Sequence, residues 1–211
     1  MKNKMDEIAE YNRARWKALV EADALFTRPN LNLDADSARQ MIDADGKLGY
    51  VAGKDVLCLA CGGGQQSAAF ALLGANVTVF DISDEQLERD KKAAKHYSFE
   101  IKTEQGDMRD LSRFEKASFD IVYHGYSINF VPDAVEVFRQ IARVLRGGGI
   151  YHFSFANPFI MGVEQKDWNG EGYVLKEPYI GGARLSYDDQ DWVYNGEAHE
   201  KFRIRLNIAT L

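Results

Sequence analysis

The chain has 211 residues, 45% of them apolar, and a formal net charge of −6. This length and composition can bury one complete core, so one domain with appendages is expected. The acidic balance disfavours a general nucleic-acid binder, no apolar run is long enough to span a bilayer, and the charged N-terminus lacks a signal-peptide core. We therefore expect a cytoplasmic protein with neither nucleic-acid nor membrane partners.

The N-terminal region predicts a helical cap. Apolar residues recur at helical spacing over residues 5–26, and a second helix is predicted over residues 35–48. Three aromatic residues fall in the first segment, and they are Tyr11, Trp16 and Phe26. They fit either the ordinary packing of an amphipathic helix or a lid that closes over a ligand.

The middle of the chain alternates short apolar runs with helical patterns. Strands are predicted over 55–60, 76–80, 99–104, 119–123 and 149–155, and helices over 65–74, 84–96 and 133–145. Such alternation predicts an α/β fold, a doubly wound and mostly parallel sheet with helices on both faces. A ligand site of such a sheet lies at the carboxyl ends of the strands, where the strand order reverses.

Residues 55–81, DVLCLACGGGQQSAAFALLGANVTVFD, contain the strongest motif of the sequence. A strand runs into a glycine cluster, a helix follows, and a second strand ends at Asp81. Glycine permits a close approach of backbone to ligand, and a carboxylate at a strand end can accept bonds from two ribose hydroxyls. The segment therefore predicts a βαβ unit that holds a nucleoside cofactor.

Two cysteines, Cys58 and Cys61, form a C-x-x-C pattern that also occurs in redox dithiols and zinc sites. Cys58 falls inside the first predicted strand, and the sequence has no second cysteine pair to complete a zinc site. We expect both thiols to serve packing and backbone contacts, and we expect no metal site.

The glycine pattern alone leaves the cofactor open. The order Gly62-x-Gly64-x-x-Ser67 lacks the third glycine of the dinucleotide fingerprint, so a nicotinamide cofactor is neither required nor excluded. Gly106-Asp107-Met108 follows the third strand and places a carboxylate where it could meet an adenine amino group.

The succession VLCLACGGG, VTVFDIS, GDM, SFDIVYHG and RVLRGGG places five landmarks in order between about residues 50 and 155. This order resembles the Rossmann-like (class I) S-adenosylmethionine-dependent methyltransferases, in particular those that act on small molecules. The resemblance implies S-adenosyl-L-methionine as cofactor, S-adenosyl-L-homocysteine as its product, and in-line methyl transfer to a small-molecule acceptor.

The resemblance also implies a set of cofactor-binding residues. These are Ala60, Cys61, Gly62, Gly64, Asp81, Ile82, Asp107, Met108 and His124. The loop at 60–64 would lie under the methionine part of the cofactor, Asp81 would bind the ribose hydroxyls, and Ile82 would pack against adenine. Asp107 would bind the adenine amine and Met108 would cover the ring.

The chain departs from the family pattern at two positions of the glycine motif. The family usually has an acid where Cys58 stands and a glycine where Ala60 stands. The missing carboxylate normally helps to organise the amino-acid end of the cofactor, and Ala60 approaches a ligand less closely than glycine.

His124 and Tyr126, at the end of the fourth strand, are the candidate catalytic residues. His124 would act as a general base if the acceptor starts protonated, and its alternative is a hydrogen-bonded structural histidine. Tyr126 would orient the acceptor. A set of loop aromatic residues would either wall the acceptor pocket or join an oligomer interface, and these are Trp168, Tyr173, Tyr179 and Trp192.

We expect three regions: a helical cap at 1–45, an S-adenosylmethionine-binding core at 46–155, and a substrate-side segment at 156–211. The family sheet has seven strands, so either the last strands are compressed into the tail, with one over 201–209, or the chain is truncated. The acidic cluster at 188–191 is expected in a solvated turn. Two other functions stay open, a nicotinamide-dependent oxidoreductase and a catalytically degenerate S-adenosylmethionine-binding protein.

Overall fold

The computed structural model describes residues 6–155, 167–174, 184–189 and 202–207, the last two ranges as backbone strands only. The helices are α1 (Glu7–Glu21), α2 (Ala35–Asp43), α3 (Gln66–Leu72), α4 (Asp84–Tyr97) and α5 (Ala134–Val144), with 3-10 turns at Leu25–Thr27 and Ile128–Phe130. The strands are β1 (Asp55–Leu59), β2 (Asn76–Asp81), β3 (Lys102–Gln105), β4 (Phe119–His124), β5 (Leu145–Phe153), β6 (Arg184–Asp189) and β7 (Phe202–Asn207).

Five of the strands form one parallel sheet in the order β3-β2-β1-β4-β5. The predicted α/β, doubly wound fold is therefore confirmed. Strands β6 and β7 pair antiparallel as a separate two-stranded sheet. The chain runs from β1 to β2 on one side of the sheet and returns to β4 on the other side of β1, so the strand order reverses beside β1.

The central strand β1 carries apolar side chains to both faces of the sheet. Val56 and Cys58 belong to one buried cluster, with α2 and α3, whereas Leu57 and Leu59 belong to a second cluster with α5. Successive strand residues point to opposite faces, and a parallel sheet is covered on both. This arrangement explains why β1 reads as a continuous apolar run rather than as an alternating one.

Side-chain caps fix the start of the helices around the sheet edge. Ser83 is the N-cap of α4, as its position before the helix indicates, and its hydroxyl accepts the N–H of Gln86 at 3.3 Å. Asp6 caps α1 by accepting the N–H of Ala9 at 2.9 Å. The two caps place both helix N-termini on the side of the sheet where β2 ends.

Several predicted boundaries are wrong. Helix α1 ends at Glu21, where we predicted residue 26. Strand β5 begins directly after α5 at Leu145, because Leu145 pairs with Phe119 of β4 across a register shift that contains the glycines at 147–149. Asp188 and Asp189 lie in β6 and not in a turn, since pairing with β7 makes an otherwise unpatterned segment a strand. Asp191 lies outside the described residues.

Candidate cofactor and active site

A cavity of about 720 Å³ lies at the carboxyl edge of the sheet, where the strand order reverses. We call it the edge cavity. The loops after β1, β2, β3 and β4 all line it, and α1 contributes from the cap. Its volume is within the range of about 300–1,000 Å³ that is typical of small-molecule sites. A cavity of suitable size thus lies at the edge where the sequence predicted a ligand site.

The glycine loop, residues 60–64, requires glycine at two positions for different steric reasons. A Cβ on Gly62 would lie 2.6 Å from Cβ of Gln86 and 3.0 Å from Cγ of Asp81. Gly64 has φ of +79°, and a Cβ there would lie 2.7 Å from the carbonyl oxygen of Arg89. Glycine at these positions therefore lets the loop pack directly on Asp81 and on α4.

Asp81, at the end of β2, is 7% exposed and lines the edge cavity. Its Oδ2 accepts the N–H of Gly62 at 2.9 Å, and its Oδ1 accepts the N–H of Ser83 at 2.9 Å. Burial raises the pKa of this carboxyl, and the two backbone N–H groups oppose the rise because they stabilise the charged form. The carboxylate is thus held in one orientation beside the glycine loop.

Asp107, after β3, also lines the cavity, but a neighbouring arginine holds both of its carboxylate oxygens. Arg109 donates from Nε to Oδ1 at 3.0 Å and from Nη2 to Oδ2 at 2.5 Å. The same guanidinium donates from Nη1 to Oδ2 of Asp6, the N-cap of α1, at 2.6 Å. We call these three residues the arginine clasp. It joins the cap to the predicted adenine site.

The apolar residues predicted around adenine lie at the cavity. Ile82 follows Asp81, and Met108 is 9% exposed and packs in the cluster beneath the sheet edge. Phe80 also lines the cavity, and a Cβ on Gly106 would lie 2.4 Å from its ring. This side of the cavity is therefore an apolar surface beside the arginine clasp.

Ala60 and Cys61 form the start of the glycine loop and line the cavity. Ala60 has φ of +48°, in the left-handed region that favours glycine. The thiol of Cys61 donates to the carbonyl of Leu59 at 3.1 Å, and its sulfur accepts the N–H of Gly125 at 3.0 Å. Cys61 thus ties the loop after β1 to the loop after β4.

The side chain of His124 lies outside the cavity. It is fully buried at the end of β4, and its Nδ1 lies 3.0 Å from the hydroxyl of Tyr151 on β5. Burial lowers its pKa to about 3, so the imidazole is neutral at physiological pH. The structure therefore places the imidazole in the interior, beside Tyr151, and does not bring it to the edge cavity.

The residues after His124 do reach the cavity. Tyr126 is 53% exposed with φ of +61°, and its N–H donates to Oγ of Ser154 at 3.0 Å. Ser127 is buried, and its hydroxyl has no hydrogen-bond partner among the described residues. Unusual backbone conformations of this kind concentrate at functional sites, because the surrounding structure must hold them in place.

The N-terminal helical cap closes one side of the cavity. Trp16 and Phe26 line it, whereas Tyr11 does not. Trp16 packs edge-to-face on Phe130 with ring centroids 5.7 Å apart, and Asn12 donates from Nδ2 to the carbonyl oxygen of Phe130 at 2.7 Å. Helix α1 is therefore fixed to the 3-10 turn after β4.

Sequence reasoning missed several residues around the cavity, among them Asn12, Gln86, Arg109 and Ser127. Arg109 follows the GDM landmark directly, so its position in the sequence was enough to predict that it lies near Asp107. The others lie on helices or turns where only the packing brings a polar side chain to the ligand edge. Among the loop aromatics, Trp168 and Tyr173 pair with each other at 5.2 Å and do not line the cavity, whereas Tyr179 and Trp192 lie outside the described residues.

Both cysteines are free and buried. Burial raises the pKa of Cys61 to about 12 and that of Cys58 well above its ordinary value, so neither thiolate is populated at neutral pH. In the parts of the chain that the structure describes, no three His, Cys, Asp or Glu side chains are grouped closely enough to hold a metal ion. Nor does any helix in those parts have the length and apolar character needed to cross a membrane.

A parallel sheet of this order, with a carboxylate at the end of β2 and a glycine loop packed on it, defines a Rossmann-like nucleoside-cofactor domain. Residues 57–153 match the profile of the methyltransferase domain family. This part of the chain is a Rossmann-like (class I) methyltransferase domain, and S-adenosylmethionine is the cofactor of that class.

Curated relatives support the family. The uncharacterised methyltransferase YbaJ of Bacillus subtilis is 42% identical over 110 residues, 52% of this chain and 43% of that protein. A ubiquinone biosynthesis O-methyltransferase of Xanthomonas campestris is 31% identical over 146 residues, 65% of this chain and 61% of that protein. The chain thus spans between 43% and 61% of the length of these two relatives.

Solved structures share the fold. An S-adenosylmethionine-dependent methyltransferase from Mesorhizobium loti superposes with a TM-score of 0.51 at 28% identity, over 63% of this chain and 58% of that one. A Pyrococcus horikoshii protein gives a TM-score of 0.57 at 23% identity over 87% of this chain and 80% of that one, and it supports the fold alone.

Proposed function

We propose that this chain binds S-adenosylmethionine in the edge cavity and catalyses methyl transfer to a small-molecule acceptor. The observation that carries the proposal is the fixed carboxylate of Asp81 at the reversal of the strand order. A carboxylate offers about four acceptor positions. The N–H groups of Gly62 and Ser83 take two of them, and two remain for a pair of ribose hydroxyls.

Unpartnered polar atoms support the fit of a polar cofactor. Oε1 of Gln86 and Oγ of Ser127 are buried without a partner among the described residues, and both residues line the edge cavity. A buried polar group without a partner costs free energy, and a bound ligand is one way to supply the missing partner. Gln86 packs against the same glycine as Asp81, which places its amide at the proposed ribose end.

The remaining cofactor contacts follow from the lining of the cavity. We assign the methionine end to the glycine loop with Ala60 and Cys61, and the adenine end to the Ile82 and Met108 surface. Asp107 would accept from the adenine amine beside the arginine clasp. His124 would contribute backbone alone.

The chain's own part in the reaction is positioning and the exclusion of water. When bound, the cofactor supplies an electrophilic methyl group on a sulfonium, and alignment of the acceptor atom is the main catalytic requirement. We assign acceptor orientation to Tyr126 and Ser127, which follow β4. We assign the covering role to α1 and the 3-10 turn after it, through Trp16 and Phe26. A base is needed only when the acceptor atom starts protonated.

The acceptor side of the cavity indicates a neutral, largely apolar acceptor. Its polar lining residues, Asn12, Tyr126 and Ser127, are uncharged, and its apolar ones are Ala9, Trp16, Phe26, Met41, Phe130 and Val131. The charged residues in the lining, Asp81, Asp107 and Arg109, belong to the proposed cofactor end. The name of the Xanthomonas relative fits such an acceptor. The acidic charge also fits a cytoplasmic enzyme of small molecules better than one of nucleic acids.

The first test is a calorimetric titration of the chain with S-adenosylmethionine and S-adenosylhomocysteine, with NADH and NADPH in parallel. We expect binding of the two sulfur nucleosides alone. Binding of a nicotinamide cofactor would overturn the proposal, although the methyltransferase family match gives that alternative no support. Tight nucleoside binding with no turnover over a panel of neutral aromatic alcohols and phenols would indicate the degenerate protein instead.

A further inference from the structure

Asp90, on α4, is fully buried and contacts the glycine loop without lining the edge cavity. Its Oδ2 accepts the N–H of Gly63 at 2.9 Å, and its Oδ1 accepts the N–H of Gly64 at 3.0 Å. The hydroxyl of Ser67, in the first turn of α3, donates to the same Oδ1. One carboxylate therefore joins the glycine loop, α3 and α4.

A buried carboxylate of this kind is costly unless its hydrogen bonds compensate. No lysine or arginine pairs with Asp90 in the described part of the chain. Burial raises its pKa to about 7, and the bonds from Ser67, Gly63 and Gly64 oppose that rise. The three hydrogen bonds thus offset part of the free-energy cost of burying this carboxylate.

The strand that leads into the glycine loop provides no carboxylate. Cys58 is fully buried in β1, and burial keeps its thiol protonated. In the family that the chain resembles, this position usually carries an acid. In this chain a carboxylate on α4, that of Asp90, accepts from the loop.

Asp90 and Asp81 together take three successive N–H groups of the loop. Gly62 donates to Asp81, and Gly63 and Gly64 donate to Asp90. The positive φ angles of Gly63 (+121°) and Gly64 (+79°) accompany this arrangement. These N–H groups are therefore occupied before any ligand arrives, so the loop contributes a fixed shape rather than free donors.

We infer that Asp90 is a positioning residue that holds the glycine loop, and with it Asp81, in the shape that binds the nucleoside cofactor. The inference rests on the proposed function, since it assigns a role at the same site. It predicts that the loop loses cofactor affinity when the Asp90 carboxylate is replaced, even where the domain stays folded.

The test compares Asp90→Asn with a matched control, Asp43→Asn. Asp43 is also a buried carboxylate that accepts two backbone N–H groups, from Leu48 at 2.9 Å and Gly49 at 3.2 Å, and it does not line the cavity. For each chain we would measure S-adenosylhomocysteine affinity by calorimetry, urea unfolding, and hydrogen exchange at the amides of Gly63 and Gly64.

We expect Asp90→Asn to weaken S-adenosylhomocysteine binding by about tenfold or more, because one amide N–H of the loop must then face the new side-chain NH₂. Amide exchange at Gly63 and Gly64 should accelerate. Asp43→Asn should reduce stability while changing the affinity by less than about twofold, because its carboxylate supports a distant turn.

Equal affinities in Asp90→Asn and the wild type would overturn the inference while leaving the proposed function in place. If the wild type binds neither S-adenosylmethionine nor its product, the proposed function fails, and the inference fails with it. Should Asp90→Asn not fold, Ser67→Ala removes one donor and keeps both glycine bonds. We expect it to weaken binding by about threefold, and an unchanged affinity would count against the inference.

Discussion

Asp81 shows how far a single residue can be predicted from the sequence. Its place at the end of an apolar run after a glycine motif was enough to predict a carboxylate at the ligand edge, and the structure places it there. The contacts that orient it, from Gly62 and Ser83, follow from the tight turn after β2 and from the absence of a Cβ at Gly62. These needed the folded chain.

Replacing Asp81 with alanine should weaken S-adenosylhomocysteine binding by about 2–4 kcal/mol, because two hydrogen bonds to a charged acceptor are lost. Calorimetric titration measures the change. Asp45→Ala is the control, since Asp45 is exposed, pairs with Lys47 and does not line the cavity. An unchanged affinity in a folded Asp81→Ala chain would remove this residue from the site.

Ala60 carries a backbone strain that the sequence alone did not reveal. A φ of +48° destabilises the folded state of an alanine by roughly 1–2 kcal/mol. Glycine would relieve this strain, but its greater freedom in the unfolded chain would lower stability by about 0.4–1 kcal/mol. Ala60→Gly should therefore leave stability unchanged or raise it by up to about 1 kcal/mol. Urea unfolding measures this. A clear loss of stability would mean that the methyl group packs favourably enough to outweigh the strain.

At the level of elements, the arginine clasp links α1 to the loop after β3. Asp6 both caps α1 and accepts from Arg109, so one carboxylate ends a helix and anchors it to the predicted adenine site. The start of α1 within a charged N-terminal segment was predictable from its helical spacing. Its attachment across the chain was not, because Asp6 and Arg109 are 103 positions apart.

Arg109→Gln should loosen α1 and reduce stability by about 1 kcal/mol, since a partly buried arginine loses two charged partners. Affinity for S-adenosylhomocysteine should fall in parallel, because Trp16 covers the cavity from α1. Urea unfolding and calorimetry measure the two effects. Arg139→Gln, which removes an exposed pair with Glu136 on α5, should change neither quantity appreciably.

At the scale of the whole molecule, two buried groups give stability opposite dependences on pH. The pKa of His124 falls from 6.5 to about 3 on folding, so its contribution is present above pH 6.5 and is lost as the pH falls. The pKa of Asp90 rises from 3.8 to about 7, so its contribution is present at low pH and is lost as the pH rises through about 7. Between about pH 4 and 6.5 the two largely cancel.

We expect His124→Gln to reveal the buried carboxylates, Asp90 and Asp81, whose pKa values burial raises, so that the free energy of unfolding falls as the pH rises over this range. The slope relative to wild type should be at most about 1.4 kcal/mol per pH unit. Urea unfolding at a series of pH values measures it. His96→Gln, at an exposed histidine of α4, is the control and should keep the wild-type slope. A wild-type slope in His124→Gln would show that the imidazole does not titrate as a buried group.

Local sequence patterns were enough to predict the order of strands and helices, the parallel sheet and the edge at which the cavity lies. These features follow from local periodicity, from glycine at fixed positions and from the handedness of crossovers. Contacts between distant segments were not predictable from any local pattern. Packing buries His124 against Tyr151, and pairing with β7 makes residues 184–189 a strand. The folded chain also brings Arg109 to Asp6 and Asp90 to the N–H groups of the glycine loop. Each of these contacts joins distant segments, and only their packing makes a polar side chain a core residue or part of the site.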